Sequence, residues 1–115
     1  MKISLTDKEI VWTKHAKEKM RYYRLSKKRI LRVLRHPERK EVGVAPETIA
    51  VMQSAGTKKH PTEIWLMYQI VKLKDKSQKL KIITAWRYPG ISPLRKPPPI
   101  PDDILQDLDY IISSL

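Results

Sequence analysis

The chain has no cysteine. That removes disulfides and thiolate-bound metals, and it fits a reducing compartment, so a cytoplasmic location is expected. It has no apolar run of about eighteen residues, the length a membrane-spanning helix requires, so no membrane partner is expected. Its opening MKISLTDKEIVW carries early acids and no continuous apolar segment, and does not read as a signal peptide. No internal repeat is present. The three histidines, His15, His36 and His60, are scattered and lack acidic residues at ligand spacing. No metal or other cofactor is therefore expected.

Acidic residues are also scarce. Twelve stand against 24 lysines and arginines, a net charge of +12 over 115 residues. A balance this basic suggests a nucleic-acid or anionic-surface partner. The charge is also segregated. Residues 1–96 hold all 24 cations and eight acids, leaving +16, whereas residues 101–115 hold Asp102, Asp103, Asp107 and Asp109 and no cation, leaving −4. With 41% hydrophobic residues the chain is long enough for one small core. A lysine-rich solvated surface would give the same balance, but here the arginines cluster.

The densest cationic stretch is residues 12–24, WTKHAKEKMRYYR. Thr13 is placed to cap a helix in which Ala16, Met20 and Tyr23 form an inner stripe. Lys14, Lys17, Arg21 and Arg24 recur at spacings of three and four on another side, where like charges repel by about a few tenths of a kcal/mol per pair. Ser26 caps a second predicted helix over residues 27–36, stopped by Pro37. Ile30, Leu31, Val33 and Leu34 form its inner face, and Lys28, Arg29, Arg32 and Arg35 its outer face. Alternating patterns then predict strands over residues 40–45, 48–54, 63–74 and 79–88, with a cationic loop over residues 54–62 and a polar turn at 75–78. Residues 9–12 are a short strand or an extended lead. The expected fold class is α+β: two N-terminal helices on one face of a roughly four-stranded antiparallel sheet, plus a C-terminal helix.

Three regions follow from this pattern: an α+β domain over residues 1–90, a stiff proline-rich spacer over 91–101, and an acidic amphipathic helix over 102–115. In that helix Ile104, Leu105, Leu108, Ile111 and Ile112 form the apolar stripe, and the acids sit at its positive end. Three roles are open to it: covering the exposed side of the sheet, forming a homodimer contact, or shielding the basic surface as an internal mimic of a partner.

Trp12-Thr-Lys-His15-Ala16, Met20-Arg21, Leu25-Ser26, Ile30, Leu34 and Pro37, with the late Ile82-Ile83-Thr84-Ala85-Trp86-Arg87, resemble the DUF4258 family. That family is related by fold to the RelE/ParE superfamily of toxins. The resemblance covers residues 9–90 and implies a RelE-like fold and a toxin of a prokaryotic toxin–antitoxin system. It also implies a metal-independent endoribonuclease acting on mRNA, free or ribosome-bound, with an acidic antitoxin as partner. The segment after residue 90 and the long 54–62 loop depart from that pattern.

Metal-free RNA cleavage requires a group to take the 2′-hydroxyl proton, cations for the phosphorane, and a proton donor to the leaving oxygen. Histidine suits the proton steps and arginine the charge. The catalytic candidates are accordingly His15 as base or acid, Arg21 and Arg87 for charge, and Tyr88 as second proton carrier or stacking platform. The nucleic-acid-binding candidates are Lys14, Lys17, Arg24, Lys28, Arg32 and Arg35. Each has a structural alternative: His15 as a half-buried polar residue, the two arginines as surface charges paired with Glu18 or Glu63, Tyr88 as a plug. Trp65, Tyr68 and Trp86 are expected as core or interface residues rather than base-stacking ones. Two rivals to the nuclease remain, a non-catalytic RNA/DNA-binding module and a protein-interaction domain of the same fold.

Overall fold

The computed structural model describes residues 9–75 and 77–113. The signal-peptide reading of residues 1–8, Lys76 of the predicted turn and residues 114–115 of the predicted helix lie outside them. The order is β1 (Ile10–Trp12), α1 (Lys14–Tyr22), α2 (Lys27–Arg35), β2 (Arg39–Val42), β3 (Ile49–Gly56), β4 (Pro61–Lys72), β5 (Gln78–Pro89), α3 (Asp102–Gln106) and α4 (Leu108–Ser113).

Both long helices start at the predicted hydroxyls. Thr13 Oγ1 accepts from Ala16 N at 3.1 Å and Ser26 Oγ from Arg29 N at 3.1 Å, each satisfying a backbone donor that the first turn leaves without a partner. α1 ends in a Schellman turn: Leu25 N donates to Met20 O at 2.7 Å and Arg24 N to Arg21 O at 3.2 Å. The residue that must turn left-handed there is Arg24, at φ 57°, where glycine would be unstrained. Its two flanking partners, Met20 and Leu25, meet in the core.

The sheet has five strands in the order β1-β5-β4-β3-β2. β2 through β5 are antiparallel neighbours, as the short connections require, but β1 joins β5 in parallel through Ile10 opposite Leu80 and Trp12 opposite Ile82. The sheet is therefore mixed and five-stranded rather than antiparallel and four-stranded. Three residues carry too little periodicity to show which neighbour they will find. The predicted long loop over 54–62 also shrinks to a tight hairpin, with Gly56 paired to Pro61 and only residues 57–60 outside the ladder. Gly56 (φ 79°) makes this turn possible; a Cβ there would lie 2.3 Å from His60 O.

The register of β5 shifts by one residue at a bulge: Tyr68 faces Ile82, yet Met67 faces Thr84, leaving Ile83 as the extra residue. Thr13 is tied to this spot, its hydroxyl donating to Ile82 O at 2.7 Å. The bulge exchanges the faces of every residue after it. Leu80, Ile82 and Ala85 lie with Ile64, Leu66 and Tyr68 under α1 and α2, whereas Ile83 and Trp86 lie with Trp65 and Met67 on the other face.

That second face is covered by the C-terminal segment. The expected single helix is broken at Asp107 into α3 and α4. Of the five-residue apolar stripe, Ile104 and Ile111 reach the core beside Trp65 and Trp86, while Leu105 and Ile112 remain exposed. Ile104 and Ile111, seven residues apart, fall on one side of the segment, and Leu105 and Ile112, one position on from each, fall on its margin. Trp65 and Trp86 stack in parallel with centroids 5.9 Å apart, fully buried, and Tyr68 is buried on the first face.

This packing gives a contrast that urea unfolding can measure. Ile111→Ala should cost about 2–4 kcal/mol, the usual loss for a buried isoleucine, and exposed Ile112→Ala under about 1 kcal/mol. Equal effects would show that the second face is not covered in this way.

Candidate nucleic-acid interface

α1 and α2 lie on one face of the sheet, so their other sides form the solvent surface of that layer. α2 has five cations and no acid; α1 has four cations and only Glu18. Lys14, Lys17, Arg24, Lys28, Arg32 and Arg35 are all exposed on this layer. Lys14, Lys17, Arg24, Lys28 and Arg32 form no ion pair among the described residues. Two cations outside this set are neutralised within the chain: Lys19 by Asp103 and Asp107, at 2.8 and 3.5 Å, and Arg39 by Glu41 at 2.8 Å.

At one end of this layer three arginines come together from two elements. Arg87 of β5 donates from Nη2 to Tyr23 O at 3.5 Å, and Arg29 of α2 donates from Nη2 to Ser54 O at 3.4 Å. Burial lowers the pKa of Arg29, and the nearby charges of Arg32 and Arg87 lower it further, against a smaller opposing effect of Glu38. Glu38 itself accepts from Ser54 N. Register places Gln53, Ile64 and Arg87 in one row across β3, β4 and β5 on the helix-covered face. Gln53 Oε1 in that row and Thr62 Oγ1 beside it are buried without a hydrogen-bond partner.

His15 lies elsewhere. It is buried, and its Nε2 has no partner. Burial lowers its pKa, and Asp107 only partly offsets this. Around it α1 is fastened to the C-terminal segment. Asp103 Oδ2 accepts from Lys19 Nζ at 2.8 Å and Asp103 Oδ1 from Tyr23 Oη at 2.7 Å. Burial opposes ionisation of Asp103, but these two bonds outweigh it and hold its carboxyl below the ordinary value. Burial and the same carboxylate push the Tyr23 phenol up. Burial is likewise outweighed at Lys19, whose pKa is raised by Asp103.

The four catalytic candidates are thus not brought to one place. His15 faces the C-terminal segment, and Arg21, six residues on, is exposed about 120° away around the helix. Arg87 and Tyr88 are consecutive on a strand and point to opposite faces. Arg87 lies with the arginines, whereas half-buried Tyr88 packs against the second core. Neither arginine pairs with Glu18 or Glu63; Glu63 instead accepts from Trp65 Nε1 and Ser92. Sequence reasoning missed Arg29 as a site residue, placing it with the outer cations of α2. The available signal was its spacing of four from buried Val33, which sets it at the border of the inner face.

Among the described residues no group of three or more His, Cys, Asp or Glu side chains is arranged to hold a metal ion, and no helix is long and apolar enough to cross a membrane. Comparison with family models, with curated proteins and with solved structures finds no match to this chain.

The ties around His15 set a pH profile. The folded-state pKa of His15 lies below its ordinary 6.5, so the unfolded chain takes the proton first, and stability is lost as pH falls from 6.5. The Tyr23 phenol is shifted above its ordinary 10.0, so the unfolded chain ionises first and stability is lost as pH rises past 10. Urea midpoints should be level between these limits and fall outside them, and His15→Asn should flatten the loss that begins as pH falls below 6.5. Asp103 does not enter that window, since its contribution is lost only below 3.8.

Proposed function

We propose that this protein binds RNA along its phosphate backbone through the outer surface of α1 and α2, as a basic binding domain rather than through an assembled catalytic centre. The observation that carries this reading is the layer of exposed cations, five of them without ion pairs among the described residues, while Asp103 and Asp107 of the C-terminal segment face Lys19 at a different place. Cations so arranged bind phosphates without sequence preference and release counterions on binding. RNA rather than DNA is taken from the sequence resemblance to DUF4258 and RelE-like proteins. An acidic antitoxin-like partner would suit the same surface.

Arg24 supports the reading independently. A left-handed arginine costs about 1 kcal/mol relative to a conformation it prefers. Glycine would close the same turn without that cost, so the long cationic side chain has a reason other than folding.

The endoribonuclease reading has one observation in its favour. His15 is held in its neutral form with a free ring nitrogen, as a general base requires. It demands that the C-terminal segment move aside to admit substrate, and that a second proton carrier come from some residue other than Tyr88 as now placed.

Fluorescence binding to a single-stranded RNA across a salt series tests the proposal. The logarithmic salt slope should fall by about 0.7 for each of Lys17→Ala, Lys28→Ala and Arg32→Ala, whatever the RNA sequence. Salt-independent binding, or none, would reject the RNA surface. RNA cleavage in EDTA that disappears in His15→Ala and Arg87→Ala would instead establish the nuclease. Arg24→Gly should weaken RNA binding by a similar single step while raising thermal stability by about 0.5–1 kcal/mol.

A further inference from the structure

The general cationic layer does not account for the arrangement at the far end of the sheet. Surface cations usually spread apart in water, since like charges at close range repel. Arg29 and Arg87 do the opposite: each is tethered by Nη2 to a main-chain carbonyl, Ser54 O on β3 and Tyr23 O at the end of α1. Neither these two nor Arg32 forms an ion pair among the described residues. Burial lowers the pKa of Arg29, and the charges of Arg32 and Arg87 lie near enough to lower it further. Among the described residues Glu38 opposes them, and its carboxylate is engaged by the Ser54 amide.

The tethers leave most of each fork unused. A guanidinium group has five N–H donors, and one is taken at each of Arg29 and Arg87. Two half-buried forks, each tethered to a main-chain carbonyl, and a third, exposed arginine one turn along α2 lie near enough for their charges to act on Arg29, with most of their donors unused. The group that matches is planar-fork-compatible, multiply charged and rich in acceptors, which describes phosphate. The Gln53 and Thr62 atoms in the adjoining rows leave the floor polar without neutralising it.

We propose that Arg29, Arg32 and Arg87 form a seat for one phosphate group of an RNA backbone, between the start of α2 and the strand ends beside the 57–60 hairpin. This deepens the RNA-binding reading and rests on it for the source of the phosphate. The seat fixes register, whereas the outer lysines attract. One phosphate is held by paired forks and its neighbours run along the looser cations of α1 and α2.

The test titrates wild type, Arg29→Gln, Arg32→Gln, Arg87→Gln and the outer control Lys28→Gln with inorganic phosphate and, separately, with a short single-stranded RNA. Melting curves verify that each variant is folded. Wild type should bind inorganic phosphate, and Arg29→Gln and Arg87→Gln should each weaken it at least tenfold, with Lys28→Gln within twofold. For RNA, all four substitutions should weaken binding, the three at the seat more than the control. Should Arg87→Gln fail to fold through loss of its Tyr23 tether, half-exposed Arg29 and exposed Arg32 decide the matter alone. Phosphate binding unaltered by Arg29→Gln and Arg32→Gln overturns the seat, and RNA binding that persists in that case leaves the broader reading standing. Phosphate binding lost in these variants with RNA affinity unchanged overturns the assignment of the seat to RNA. No phosphate binding by wild type overturns the proposal outright.

Discussion

Strands β4 and β5 pair along almost their whole length and are apolar on both faces, and the rest of the molecule answers that constraint. Residues 63–68 and 82–86 are buried without interruption. A sheet with one wet face would alternate instead. Two covers are therefore required. α1 and α2 supply the first, over Ile64, Leu66, Tyr68 and Ile82. The C-terminal segment supplies the second, over the stacked Trp65 and Trp86. Each cover has an inner and an outer side, and the charge pattern follows from that: cations excluded from the first core must line the outer surface of α1 and α2.

Polar contacts then decide how the second cover reaches its place. The segment from Ser92 to Pro101 contains five prolines, which cannot donate to a ladder. Buried Arg39 satisfies its carbonyls instead, donating to Lys96 O at 2.8 Å and Leu94 O at 3.3 Å while holding Ser92 Oγ at 2.8 Å and lying over the Trp65 ring. Buried Glu63 takes the other side of Ser92. Arg39 thus belongs to the scaffold, although by composition it is one cation among 24. Further on, Asp103 closes the cover onto Lys19 and Tyr23 of α1. The contact neutralises one cation beside His15 and leaves Lys14, Lys17, Arg24, Lys28 and Arg32 without ion pairs among the described residues.

The same division explains what happened to the candidate site. The binding candidates of α1 and α2 lie where their helical spacing put them, because a helix face depends only on residues a turn apart, whereas Arg24 falls in the left-handed turn that ends α1. The catalytic set needed four residues from two elements to meet, His15 and Arg21 of α1 with Arg87 and Tyr88 of β5, and the bulge at Ile83 intervenes. Simple alternation from Leu80 and Ile82 would turn Arg87 toward the second face and Tyr88 toward the helices; the extra residue reverses both. Arg29 escaped notice for a related reason. Its helical position is at a border, and only the nearby Ser54 carbonyl and Arg87 show which way the side chain turns.

The sequence by itself determined the two capped helices, the strong strands, the burial of Trp65, Tyr68 and Trp86, and the separation of basic body from acidic end. These follow from spacing, capping chemistry and composition, all of them local. Only the tertiary structure decided that β1 joins β5 in parallel, that the acidic segment breaks in two over the tryptophans, and that Arg87 shares a face with Arg29 while His15 and Tyr88 do not. Those outcomes depend on pairing between residues up to about 70 positions apart and on a one-residue slip in register, neither of which leaves a periodic trace in the chain.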